Sequence, residues 1–225
     1  MVALGLLIVA CGGAGAPTPA ATLPPAEALR DATVERLHAL SSVRFEVTHL
    51  SEGTDMGGGL VLTIIEGVAA FPGRAEMSAS GTISPAVVSF GIVQIADVTY
   101  FSGPFGDTWR IVEPGTLPFN FIAMNQSVAG AILSAEDLAV ADAGKLDGTS
   151  VMALTGIIAS QDLRGLVPGA AEGGSLRVTT YIRRGDGWPI RVTLEGPLIA
   201  ADTEAMVRHL NLSDFDAPVT IEPPL

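Results

Sequence analysis

Cysteine, histidine, aromatic residues and basic charge are all scarce in this chain, and each scarcity closes off a class of protein. One cysteine among 225 residues allows no internal disulfide. The histidines, His38, His49 and His209, lie far apart and show no H-x-x-H or H-E-x-x-H spacing, so no metal ligand set is assigned. There is no G-x-S-x-G, and Cys11 precedes the region expected to fold, so neither a serine nor a cysteine nucleophile is assigned. Basic residues number 12 against 24 acidic ones, and the formal charge of −12 disfavours nucleic acid and anionic bilayer surfaces, which repel it. Asp142, Asp147, Glu195 and Asp214 fall at turns or outward strand positions, where solvation accounts for them. The Gly57-Gly58-Gly59 turn has neither the lysine nor the following helix that a phosphate cradle needs. The sequence therefore assigns no catalytic residue, no metal and no cofactor, and an enzyme is not expected.

What is abundant is aliphatic. Apolar residues make up 48% of the chain and aromatics only 5%, so a core must come from Val, Ile, Leu, Ala and Met. The length suits one antiparallel β domain. At the start an unbroken apolar run, Val2 to Ala10, leads into Ile8-Val9-Ala10-Cys11. This resembles a bacterial lipobox: small residues before the cysteine let the backbone enter a signal peptidase cleft, and the thiol takes a diacylglyceryl group. Residues 1–10 are thus expected to be a lipoprotein signal peptide. No Lys or Arg precedes the run, which leads to the expectation of a start upstream of Met1 or a trimmed chain. The run is about half the roughly 20 residues a membrane span requires. Residues 11–24, the lipidated cysteine and a Gly/Ala/Pro/Thr-rich stretch, read as a flexible tether, and residues 25–225 as the folded domain. The localisation that follows is the cell membrane, lipid-anchored, on the extracytoplasmic side.

From Pro24-Pro25 the period becomes helical, with Ala26, Leu29, Thr33, Leu37 and Leu40 on one stripe. From Val43 it becomes two. Strands are expected at Val43–Thr48, Leu60–Phe71, Arg74–Ser80, Ala86–Ile95, Val98–Ser102 and Thr108–Val112, separated by Gly, Pro and Asp. A second short helix spans 125–135, capped by Asn125 or Ser127, with Val128, Ala131, Ile132 and Ala135 on one face. Further strands follow at Leu138–Leu146, Ser150–Ile158, Leu176–Arg183, Pro189–Glu195, Met206–Ser213 and Val219–Ile221, with a third helix from Ser160 to Leu166. The expected fold is mainly β (α+β): about ten or eleven strands in one long antiparallel sheet. Twist makes such a sheet curl, and about three helices with single apolar faces then belong on its concave side, leaving a gap.

These blocks resemble, in order, the LppX–LprA–LprF–LprG family of bacterial lipoproteins, whose fold is also similar to the LolA and LolB carriers. The resemblance runs from Cys11 to Pro223 and rests on ALRDATVERLHALSSVRFEVT, IIEGVAAFPGRAEM, VTYFSGPFGDTWRIVEP, KLDGTSVMALTGIIASQDL, VTTYIRRGDGWPIRVTLEG and LNLSDFDAPVTIEPP. It implies a half-open β-barrel closed by helices around an apolar cavity. It also implies a lipid or glycolipid partner whose acyl chains fill that cavity, carried or presented within the envelope. Anchoring through Cys11, and a possible but unidentified envelope transporter as partner, follow from the same resemblance.

The residue pattern supports a cavity in two ways. Leu60–Ile65 and Val87–Ile95 are apolar on both parities, more than a sheet solvated on one side requires, and aromatics are too few to fill a large concavity. Strand parity selects Phe45, Val47, Leu62, Ile64, Met77, Phe90, Ile92, Val178, Val192 and Leu194 as the lipid-contacting face. Met77, Met152 and Met206 are flexible fillers suited to an adaptable lining. Trp109 and Trp188 are expected to pack at the sheet edge. The alternative is a tethered structural or sensor lipoprotein with a closed core and a protein partner, which would show a solid interior and an exposed apolar patch.

Overall fold

In the computed structural model, residues 22–50, 53–56, 58–104, 108–113 and 115–224 are described. The expected signal peptide at residues 1–10, Cys11 and most of the expected tether lie outside the described residues, as do Gly57, Pro114 and the tip of the loop before Thr108.

Pro25, at φ −56°, leads into helix α1 (Ala26–Ala39), where proline's missing N–H is no loss. Leu29, Thr33, Val34 and Leu37 form its buried stripe, and the Thr33 hydroxyl is satisfied by donating to the Leu29 carbonyl. Leu40 turns the backbone to an extended conformation and the chain passes directly into β1 (Ser42–His49). A two-residue strand β2 (Thr54–Asp55) precedes the long meander β3 (Leu60–Ala70), β4 (Arg74–Ile83), β5 (Ala86–Ile95), β6 (Val98–Ser102) and β7 (Trp109–Val112). Helix α2 (Met124–Ser134) separates this from β8 (Glu136–Leu146), β9 (Thr149–Ala159), β10 (Ser175–Arg183), β11 (Pro189–Glu195) and β12 (Val207–Ser213).

The strands form one antiparallel sheet in the order β7-β6-β5-β4-β3-β1-β12-β11-β10-β9-β8, with β2 beside β3. Its edges, β7 and β8, do not meet, so the sheet curls into a half-open barrel. The two runs of hairpins join at a central seam where β1 pairs with β12, Phe45 opposite Leu212 and His49 opposite Arg208. Curling needs close approach, and Gly67 supplies it. A Cβ there would lie 2.7 Å from the Met77 Cβ and 2.8 Å from its Cα.

α1 and α2 pack together, and both also touch β9. The expected third helix is only a 3-10 turn, Ser160–Leu163, followed by turns. Pro168-Gly169 leaves too few residues for an α-helix to gain on its nucleation cost. Asn125 does not cap α2 either: it is buried and donates to the Leu37 carbonyl, tying the two helices together. Residues 219–221 make no ladder. They belong to a tail that crosses the end of the seam, where the Asp216 N–H donates to the Ser42 carbonyl and the Asp216 carboxylate accepts from Ser41. Ile221 at its end is buried, and its carbonyl accepts from Arg74.

Candidate functional site

Between the concave face and the helices lies a cavity of about 300 Å³. Its sheet wall is built row by row from cross-strand neighbours. Val47, Leu210 and Val192 form one row, and His49, Arg208, Leu194 and Val178 the next. Leu62 and Ile65 of β3 extend the wall, Val128, Ala131 and Ile132 of α2 form the roof, and Phe119 and Phe121 close one side. The far end is closed by two loops, through Leu163, Leu166 and Val167 and through Leu198 and Ile199. These loops are bound to each other by the Ala170–Ile199 bridge and by the Ala171 N–H donating to the Leu198 carbonyl.

Of the ten residues selected by parity, Val47, Leu62, Val178, Val192 and Leu194 line this cavity. Ile64 does not: contrary to the parity reading, it is 40% exposed on the outer face. The physical reason is a β-bulge, because the β3–β4 register slips between Leu62 and Ile64. The extra residue, Thr63, brings both Leu62 and Ile65 inward and turns Ile64 out. Phe45, Met77, Phe90 and Ile92 are on the concave face but outside the cavity. Phe45 stacks on Phe121 at 4.4 Å and 6°, and Phe119 meets Phe121 edge-on at 5.4 Å. This aromatic plug, reached from the loop before α2, seals Met77 and Ile92 into a packed core. Phe90 packs on Phe101 at 5.6 Å. Met152 and Met206 likewise lie off the cavity lining.

One end of the cavity is polar, which the aliphatic pattern hid. Arg208 lines it, with its side chain 7% exposed, and pairs at 2.6 Å with Asp202, whose side chain is 1% exposed. The other Asp202 oxygen accepts the backbone N–H groups of Leu198 and Ile199, holding the closing loop. Thr54 Oγ1 accepts from Arg208 Nε at 3.2 Å and Nη2 at 2.8 Å. His49 Nδ1 donates to the Thr63 carbonyl at 2.9 Å, and its Nε2 meets the Thr54 hydroxyl at 2.7 Å. Burial, followed by the repulsion of Arg208, lowers the His49 pKa from its usual 6.5 despite the Thr63 bond and the Asp202 charge. The ring is therefore neutral at pH 7, Nε2 accepts, and the Thr54 hydroxyl donates to it. The signal for Arg208 was present: it shares parity with the inward Leu210 and Leu212 of its strand, as His49 does with Phe45 and Val47.

Trp188 does not line the cavity. It stacks on Phe215 at 4.6 Å, with Arg36 of α1 over its ring at 5.5 Å. Trp109 lies on edge strand β7 against Gly91. Among the described residues no cluster of His, Cys, Asp or Glu has the geometry of a metal site, and no helix is long and apolar enough to cross a membrane.

A curled, unclosed antiparallel sheet holding two helices and an apolar cavity defines a class, the half-open β-barrel fold. Within it, the crystal structure of LprF from Mycobacterium bovis superposes with a TM-score of 0.67 at 17% identity, covering 88% of this chain and 96% of that one. The lipoprotein LppX from Mycobacterium tuberculosis gives a TM-score of 0.60 at 18% identity, over 88% of this chain and 98% of that one. The chain thus has the LprF and LppX fold over almost the whole length of both. No protein-family model matches it, and no curated protein matches by sequence.

Proposed function

We propose that this protein is a lipid-binding lipoprotein of the cell envelope that shelters an acyl chain in the cavity and carries or presents the lipid bearing it. The observation behind this reading is the cavity itself: an interior space lined by Val47, Leu62, Val178, Val192, Leu194 and their aliphatic neighbours. A closed-core scaffold does not account for that space. Burying a chain gains about 0.8 kcal/mol per methylene. A bilayer offers a similar gain, so chains can move between membrane and protein with little net cost, as a carrier requires. At about 300 Å³ the cavity is at the small end of ligand pockets and suits one chain at a time.

In this reading the protein acts by binding and not by catalysis. Cys11 is the acylated residue, residues 1–10 are removed, and the 11–24 tether holds the domain on the extracytoplasmic side of the cell membrane. An envelope transporter is a further candidate partner.

Native mass spectrometry of protein purified from its own host is the test. A co-purifying mass lost on delipidation, together with diacylglyceryl on Cys11, is the expected result. Protein with Met1 intact in the soluble fraction would remove the anchor. Failure of the delipidated protein to take up any fluorescent acyl probe would remove the carrier reading.

A further inference from the structure

The concave face continues past the point where the cavity stops. Along β1 its inward residues are, in turn, His49, Val47, Phe45 and Val43. His49 and Val47 line the cavity, whereas Phe45 and Val43 are buried in packed core beyond it. Phe121 makes the division: its ring lines the cavity and stacks on Phe45 at 4.4 Å and 6°. His49 and Phe45 are only about 14 Å apart along the strand, so the polar end and this aromatic wall bound a short run.

The wall is held in place by its backbone as well as its ring. The Phe121 N–H donates at 3.2 Å to Oε1 of Gln94, a buried side chain of β5, and the Phe121 carbonyl accepts from the Met124 N–H at 3.2 Å. On either side, the Asn120 N–H donates to the Leu166 carbonyl at 2.7 Å, and the Ile122 carbonyl accepts from the Gly73 N–H at 3.4 Å. An irregular segment is thereby tied to β5, to α2 and to two separate loops, and Phe119 braces the ring edge-on at 5.4 Å. A flexible methionine in this place would yield to a longer ligand; a stacked ring on a fixed backbone does not.

Resting on the carrier reading above, we infer that Phe121 sets the length of acyl chain the cavity accepts. The chain lies along the strands with its terminal methyl against the Phe121 ring, and methylenes beyond that limit stay outside the cavity.

The test is displacement of a fluorescent acyl probe from the delipidated protein by the straight-chain alcohols from octanol to octadecanol. Each added methylene is expected to tighten binding about fourfold until the run is full, after which the gain stops. In Phe121→Ala the break should move about four carbons longer, into the space the phenyl ring vacates, and in Phe121→Leu about half as far. A ring that only packs the core would weaken every alcohol alike and leave the break in place. Circular dichroism checks that the variants fold; should the alanine variant not fold, the leucine variant decides. A break at the same length in a folded variant, or no break anywhere in the series on the unmodified protein, would overturn the inference and leave the carrier reading standing. Displacement by none of the alcohols would end both.

Discussion

Val178 is a good place to separate a packed interior from a ligand cavity, because the two respond oppositely to added bulk. It is buried on the wall opposite Gly156 and Leu194 and lines the open space. Val178→Trp in a filled core would overpack at a cost of about 1–3 kcal/mol. Here the indole is expected to enter the cavity, leaving the melting temperature of the ligand-free protein unchanged or raised and weakening acyl-probe uptake, both measured on one preparation. The histidines give a second test. Burial is the first cause lowering the pKa of both His49 and His209, with Arg208 and Arg191 respectively adding to it and Asp202 and Glu195 opposing it. The unfolded chain thus binds protons more readily than the folded one. Stability is full above the ordinary histidine value of 6.5 and falls as pH drops through it toward the lower folded values. Urea midpoints measured from about pH 7.5 to about pH 5 should decline, and His49→Gln should flatten the curve.

At the scale of elements, most of the architecture was legible because alternation and turn residues write it directly. The β10–β11 hairpin, with Val178 opposite Leu194 and Thr180 opposite Val192, follows from its apolar period and the Gly185-Asp186-Gly187 turn. Three things were not legible, each for a physical reason. The bulge at Thr63 inverts the face of Ile64 without any glycine to announce it, because a run apolar on both parities reads the same in either register. The helical period at 160–166 was too short to support more than a 3-10 turn. The aromatic plug comes from an irregular loop, and no periodicity predicts that Phe119 and Phe121 reach across to Phe45. Gly67 carries an element-level expectation of its own. It lies opposite Phe45 on one side and Met77 on the other, and Gly67→Ala would push β3 and β4 apart where the sheet bends. A loss of about 1–3 kcal/mol is expected in chemical denaturation. Gly130→Ala on α2, whose added Cβ meets nothing within 4 Å, is the control and should be neutral or stabilising by up to about 1 kcal/mol.

For the molecule as a whole, the cavity, its polar end and the tail are all organised around the β1–β12 seam. Residues 25–225 contain no cysteine and are expected to unfold in one cooperative step that dithiothreitol does not alter. Fluorescence and far-ultraviolet dichroism should then give the same midpoint. The seam also fixes an order of events. Every other ladder joins strands that follow closely along the chain, so the β3–β7 and β8–β11 hairpins can assemble from their own local sequence. The seam instead brings Arg44 against Ser213, and loop-closure entropy must be met before any of its hydrogen bonds form. The local hairpins on either side are therefore expected to pair before the seam does. The cavity wall crosses this seam, from Val47 to Leu210, so no enclosed space for a ligand exists until the last strand has paired with the first.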